Sequence, residues 1–529
     1  MADYIIVGAG SAGCVLANRL SADPAVSVVL IEAGGRDSSF LFRMPAGFFP
    51  LMQAGKGNWN FETVPQKHLD NRTLYFPRGK VWGGSSAING MVVSRGNSGD
   101  YDRWAQLGNS GWSYADCLPF FKMIESYEAG DPEVRGHDGP MQVTRSAIET
   151  MPRIARNFIE AGMQAGHPFN PDVNSGNPIG MAQMQGNYGN ARRQSASATY
   201  LLPALDRPNL TVISKALVHR VIIEDGRAVG VEYSQGRKVQ QIRATREVIL
   251  SGGAINSPHL LQLSGIGDPA DLIPLGIAVS HELPGVGKNL QDHLSVTLKH
   301  RITQPISALN DLKPLATLKA LAQYFLFKTG ATVTSGLDAW AHLKSRPDLE
   351  YPDIQMYIVP LMYNDHGRDV IKEHGVLVAV NGTNPASTGT VRAVSSDPRV
   401  MPAIDPDFLS DPDDARPLRA GIRLAREILA QQPFDDLRGT EYAPGADAES
   451  DEALDSYIRQ NANSIYHPVG TCSMGQGPLS VVDEKLRVRG IAGLRVVDAS
   501  VMPLVPSGNT NFPTMMIAEK AAQLILSEA

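Results

Sequence analysis

Residues 3–34 read DYIIVGAGSAGCVLANRLSADPAVSVVLIEAG. The β-branched run at 4–7 suits a strand. Gly8, Gly10 and Gly13 follow as G-x-G-x-x-G, and Val15, Leu16, Arg19 and Leu20 continue at helical spacing. A second apolar strand at 26–31 ends on Glu32. The pattern predicts a βαβ unit with a glycine turn between its first strand and its helix. In such a unit Gly8 permits the tight turn, Gly10 lets backbone approach a pyrophosphate, and Gly13 lets helix and strand pack closely. The helix N-terminus presents unpaired N–H groups and the positive end of its dipole to a phosphate. Glu32 stands 19 residues after Gly13, where an acid can hold ribose hydroxyls. A lone glycine pattern is weak evidence, because a glycine-rich α/β turn need bind nothing. Here the strand, the helix and the acid agree on a dinucleotide site.

The totals bound the rest. A chain of 529 residues exceeds one compact core, so two or more domains are expected. Hydrophobic residues at 43% and charged residues at 19% fit a soluble globular protein. A net charge of −6 with mixed signs gives no electrostatic case for nucleic acid. The cysteines, Cys14, Cys117 and Cys472, are odd in number and form no C-x-x-C, which argues against a disulfide framework or a metal site. The chain enters its first strand without a charged-then-apolar leader, and it has no apolar stretch long enough to span a bilayer. A cytoplasmic location is expected, with peripheral contact to an inner membrane left open.

Outward from the βαβ unit, residues 35–75 are loop-rich. Residues 77–90 then read PRGKVWGGSSAING. Gly83-Gly84 before two serines is a second place where backbone N–H groups can meet a ligand, although Ser85 and Ser86 can equally be plain helix caps. Helices are expected at 100–125, 152–166, 193–202, 411–431 and 515–526. Strands are expected at 210–213, 218–223, 229–233 and 246–251, with a hairpin signal at Asp225-Gly226. From about residue 296 the character changes: 295–302, 353–360, 375–380 and 389–393 alternate like strands of an antiparallel sheet. The apolar helix expected at 315–327 reads as core or lid, its charges being too sparse for a membrane-surface helix.

Six segments in this order resemble the glucose–methanol–choline (GMC) flavoprotein oxidoreductases: 8–32, 77–89, GAINSPHLLQLSGIG at 253–267, PGVGKNLQDH at 284–293, YHPVGTCSM at 466–474, and 496–517 with VVDAS and GNTNFPTMMI. The resemblance is to the choline and alcohol dehydrogenase type and covers essentially the whole chain. It implies an α/β fold (α+β overall): a Rossmann-like FAD-binding domain from 1–150, 200–295 and 475–529, and a discontinuous substrate-binding domain, 151–199 and 296–474, built on an antiparallel sheet with helices. It implies FAD rather than nicotinamide. The FAD positions it carries over are Gly8, Gly10, Ser11, Ala12, Gly13, Glu32 and Ala33 in the βαβ unit. They continue with Arg78, Gly83, Gly84, Ser85, Asn89, Gly90, Met91 and Val92, then Val218, Gly253 and Tyr466, and finally Asp498, Ala499, Asn509, Asn511 and Phe512. Some relatives attach FAD through a His in the 83–89 segment. Ile88 stands there, so the FAD is expected to be non-covalent.

The resemblance also assigns the chemistry. His467 matches the family's catalytic His, and Asn511 its second catalytic group. A neutral imidazole is a suitable base for an alcohol proton near neutral pH, and an amide orients the alcohol oxygen without titrating. From the residues alone, His467 beside Pro468 would read as a core or capping His, and Asn511 as a turn residue. The expected reaction is oxidation of a primary alcohol to the aldehyde, with a quinone or oxygen as electron acceptor. An oxidase releasing hydrogen peroxide and a hydroxynitrile lyase are the alternatives on this scaffold. Two departures from relatives, Val93-Ser94 and Asp338-Ala339-Trp340, weaken transfer of a named substrate, and no aromatic cage for choline can be assembled from sequence. Oligomeric state is left open.

Overall fold

A computed structural model describes residues 1–528. The opening stretch forms β1 (Ala2–Val7), α1 (Ser11–Leu20) and β2 (Val28–Glu32). Ile5 and Ile6 are fully buried, each contributing roughly 1.5–3 kcal/mol. Gly8 adopts φ +103°, and a Cβ on Gly13 would meet Gly8 O at 1.8 Å. The turn therefore closes onto α1 only because neither residue has a side chain.

β1 lies between β2 and the long strand Lys238–Leu250, parallel to both. Leu210–Ser214 pairs parallel with β2, and Leu494–Val496 pairs parallel with the end of the long strand. Five parallel strands thus form the doubly covered centre expected of a dinucleotide-binding sheet. The front half of the long strand continues an antiparallel meander with Arg227–Gln235 and Ala216–Glu224. The last helix, Asn511–Glu528, packs on α1, and Arg19 pairs with Glu519 at 2.8 Å.

A second, antiparallel sheet holds Gly180–Gln183, Ala339–Leu343, Ile354–Val359, Gly375–Gly382, Leu294–Ile302 and Arg438–Ala443 in that order. The helices Arg153–Gln164 and Ala415–Leu429 cover it with Phe158, Leu418 and Ile422. Thr390–Arg392, expected as a strand of this sheet, pairs only with Ala403–Asp405. Val469, Cys472 and Met474 pack in the core of the first sheet, while Leu69 and Leu74 pack in that of the second.

Two expectations change in detail. Residues 197–201 form a π-helical turn rather than the middle of an α-helix. The helix Pro314–Phe327 is not core: only Tyr324 is buried, and Leu315, Leu326 and Phe327 are 82%, 73% and 70% exposed. Its other side, with Thr317, Ala320 and Leu321, lines the main cavity, the placement of a lid. Among the described residues, no helix is long and apolar enough to cross a membrane.

Candidate active site

A cavity of about 1830 Å³ runs from the glycine turn to the second sheet, larger than the roughly 300–1,000 Å³ that holds a typical small ligand. Gly8, Gly10, Ser11, Ala12, Glu32, Ala33, Val218 and Gly253 line one end. Glu32 accepts from Ala9 N at 2.8 Å and Gly34 N at 2.7 Å, and burial pushes its carboxyl up to about 7. A Cβ on Gly10 would meet nothing nearer than Ser251 O at 3.9 Å, so this backbone is open to a ligand. Ser11 and Asn511 begin two helices whose N-termini meet, with Ser11 Oγ donating to Asn511 Oδ1 at 2.7 Å. Two positive dipole ends thus face the same cavity.

Arg78, Gly84, Ser85, Asn89, Gly90, Met91 and Val92 line the middle. Asn89 is held by Arg193, which donates to its side-chain and main-chain oxygens. Asp498 and Ala499 also reach the cavity, but Asp498 is occupied within the fold: Gly253 N, Ser257 Oγ and both Ser500 donors satisfy its oxygens. Gly13, Gly83 and Phe512 are not on the cavity wall. Gly13 packs helix on turn, Gly83 N donates to Ala9 O, and Phe512 is core.

At the other end His467 faces the cavity. It follows Tyr466, whose φ of +72° is left-handed, a strained position of the kind that clusters at functional sites. Arg78 donates to the Tyr466 carbonyl. Asp292 fixes the backbone here: Oδ1 accepts from His467 N at 2.7 Å and from His293 N at 2.9 Å, and Oδ2 from Ser464 Oγ. His467 Nδ1 lies 3.0 Å from His293 Nδ1, and His293 Nε2 lies 3.1 Å from Thr383 O. A carbonyl only accepts, so His293 carries its proton on Nε2 and offers a lone pair at Nδ1. His467 must then be protonated on Nδ1, which leaves Nε2 a lone pair. Burial, with His293 and Arg78 adding to it, holds His467 well below its ordinary value of 6.5. Burial alone brings His293 down to about 4.

The group on His467 Nε2 is Asn509, whose Nδ2 lies 3.1 Å away. Asn511, assigned that place from sequence, is bound to Ser11 instead and also reaches Met515 Sδ at 3.9 Å. The reason is the helix start. Asn511 is its first residue, whereas Asn509 precedes it outside the helix, so the two side chains leave the backbone in different directions.

Family models for GMC oxidoreductases match residues 2–295 and 385–518. The chain belongs to the GMC oxidoreductase family. As such it is an oxidoreductase acting on CH–OH donors. It is 45% identical to the oxygen-dependent choline dehydrogenase of Photobacterium profundum, over 99% of this chain and 93% of that one. It is 44% identical to the mitochondrial choline dehydrogenase of Homo sapiens, over 99% and 89%. Among solved structures, pyridoxine 4-oxidase from Mesorbium loti superposes with a TM-score of 0.90 at 29% identity, over 99% of each chain. A formate oxidase superposes at 0.93 and 25% identity, over 100% of this chain and 98% of that one.

Sequence reasoning gave no role in this GMC oxidoreductase to Asp292, His293 or Tyr357. The signal for the first two was the NLQDH run ending at 293, whose consecutive polar residues sit where a buried strand begins. Of the departures, Asp338 accepts from Ser146 Oγ at 2.7 Å and lines the cavity. Trp340 is fully buried, its Nε1 donating to Gln183 O. Val93 and Ser94 are buried.

Proposed function

We propose that this GMC oxidoreductase oxidises a primary alcohol to its aldehyde, using dissociable FAD and His467 as the base. The observation that carries the reading is the geometry at His467: Nδ1 meets His293, itself against the Thr383 carbonyl, and Nε2 lies beside the Asn509 amide, an arrangement that leaves Nε2 its lone pair. The open backbone at Gly10, the paired helix N-termini at Ser11 and Asn511, and the buried Glu32 at the tip of β2 fit a pyrophosphate and a ribose. FAD, when bound, supplies the hydride acceptor. His467 Nε2 takes the hydroxyl proton as the hydride leaves the same carbon. Asn509 Nδ2 donates to the alcohol oxygen and offsets its developing charge. His293 holds the His467 ring and remains neutral, and the relay ends at the Thr383 carbonyl, which cannot take a proton. The proton therefore stays on His467.

One observation favours choline as a substrate to test first. Rings that could not be gathered from sequence meet in the cavity wall: Phe49 and Tyr363 at 6.3 Å, Tyr75 and His366 at 5.5 Å, His366 and Tyr466 at 5.5 Å. Aromatic faces attract quaternary ammonium groups, and relatives at 44–45% identity are choline dehydrogenases. Against it, Arg368 already lies 4.4 Å over the Tyr75 ring.

The test is anaerobic mixing of the FAD-loaded protein with choline and a panel of neutral primary alcohols, followed by air. Bleaching by an alcohol, with aldehyde formed, supports the reading; no bleaching by any of them overturns it. Rapid return of colour in air marks oxygen as acceptor, and return only with a quinone marks a dehydrogenase.

Two further results are expected. Ile88 lines the cavity where an attaching His would stand, so acid precipitation should release the yellow chromophore into the supernatant; colour kept in the pellet contradicts dissociable FAD. Glu32→Ala removes a charge-assisted hydrogen bond of roughly 1.5–3 kcal/mol. FAD affinity should fall by roughly 10–100-fold, with turnover preserved at saturating FAD. Titration of the apoprotein with FAD, followed by assay, separates the two effects.

A further inference from the structure

From His467 and Asn509 a file of polar side chains leads through Tyr357, which also lines the cavity. His342 Nε2 is 3.1 Å from Gln355 Nε2, and Gln355 Oε1 faces the Tyr357 hydroxyl. That hydroxyl lies 2.8 Å from Asn509 Oδ1, and Asn509 continues to His467, His293 and Thr383 O. Tyr357 thus has two amide neighbours and one proton to give. Turning an amide by half a rotation exchanges its donor and acceptor without changing its shape, so the ends of the file decide its direction.

Both ends give the same direction. From the Thr383 carbonyl, donors run back through His293 and His467 to Asn509 Nδ2. Asn509 Oδ1 is therefore the atom facing Tyr357, and it requires a donor. At the far end His342 is buried and pushed down to about 3 by burial, so it is neutral. Its Nδ1 has no partner. An orphaned lone pair is the less costly defect than an orphaned N–H, which places the proton on Nε2. The structure places Gln355 Nε2 toward His342 and Oε1 toward the Tyr357 hydroxyl; turned over by half a rotation, the amide accepts from His342 and its NH2 donates to the Tyr357 oxygen. The Tyr357 proton is left to point at Asn509.

We propose that Tyr357 is a positioning residue for this reaction. Its hydroxyl holds the Asn509 amide with its N–H groups toward His467 Nε2 and the alcohol oxygen. The proposal rests on the alcohol-oxidation reading above. Without that proton the Asn509 amide can turn over, presenting oxygen to the lone pair of His467 and to the substrate oxygen, which repels both. Burial pushes the Tyr357 hydroxyl far above its ordinary range, so it keeps its proton throughout the working pH range.

The experiment compares wild type, Tyr357→Phe, Asn509→Ala and the double variant as FAD-loaded proteins. Phenylalanine keeps the ring that stacks on Trp340 at 6.3 Å. Tyr357→Phe should slow the limiting rate of flavin reduction by roughly tenfold, the usual worth of one neutral hydrogen bond, with little change in alcohol affinity. In the Asn509→Ala background the same change should cost nothing further. Independently of turnover, nitrogen NMR of protein labelled with ¹⁵N-histidine should show the His467 Nε2 signal, assigned by its loss in His467→Gln, move in Tyr357→Phe. An unchanged rate and signal in Tyr357→Phe, or additive slowing in the double variant, overturns the proposal. Gln355→Met removes the other amide beside the Tyr357 hydroxyl, leaves Asn509 Oδ1 as its acceptor and should keep the wild-type rate and signal; a loss as large as that of Asn509→Ala overturns it too, whether or not Tyr357→Phe folds. Normal reduction by His467→Ala would instead remove the reading on which the proposal rests.

Discussion

His467→Ala is expected to leave FAD bound and the fold intact while slowing flavin reduction by alcohol roughly 10²–10⁴-fold, the usual contribution of a positioned acid–base group. The site also sets the pH dependence. Only neutral imidazole accepts a proton, so wild-type reduction rises through the pKa of His467 and is flat above it. Burial, His293 and Arg78 push that pKa below 6.5. The inflection should therefore fall on the acid side of 6.5, with a plateau through neutral and mildly alkaline pH. The alanine variant should lose that inflection. Anaerobic stopped-flow bleaching across pH measures both. A variant that reduces its flavin as fast as wild type at saturating alcohol would show that another group is the base.

Asn509→Ala should be the next largest loss, roughly 10²–10³-fold in the reduction rate, the range found when one donor to a developing oxyanion is removed. The pH profile should keep its shape, since Asn does not titrate. Asn511→Ala should act elsewhere. It removes the bond joining the two helix starts at Ser11, so FAD affinity should weaken while reduction at saturating FAD stays within a few-fold of wild type. The reverse pattern, a large rate loss in Asn511→Ala and a small one in Asn509→Ala, would return the catalytic role to Asn511. Single-turnover reduction of both variants at matched FAD occupancy decides.

That pair also shows what the sequence could and could not tell. The βαβ unit was legible because its signals are local: three glycines at fixed spacing, an apolar period and an acid at a strand tip. His467 and the GNTN segment could be placed in the site by resemblance. Which Asn of that segment faces His467 could not, because it depends on where the last helix starts, and that helix begins at Asn511 rather than at the expected 515. Tyr357 was invisible for another reason. It sits 152 residues before Asn509 within an alternating strand, where an aromatic ordinarily reads as core. The helix Pro314–Phe327 misleads in the opposite sense, since its composition is that of a core helix while its outer face is bare.

The bond between Ser11 and Asn511 spans 500 residues of chain, and β1 finds its second parallel neighbour only at 247–250. This gives the protein an order of assembly. As the chain leaves the ribosome, β1, α1 and β2 can gather early from local contacts, but one flank of β1 stays bare until the middle of the chain has been made. The cofactor cradle cannot close until the final helix has docked on α1. Loop closures this long are slow, and an unpaired strand edge exposed meanwhile invites aggregation. A ligand held by the closed cradle stabilises only the finished molecule.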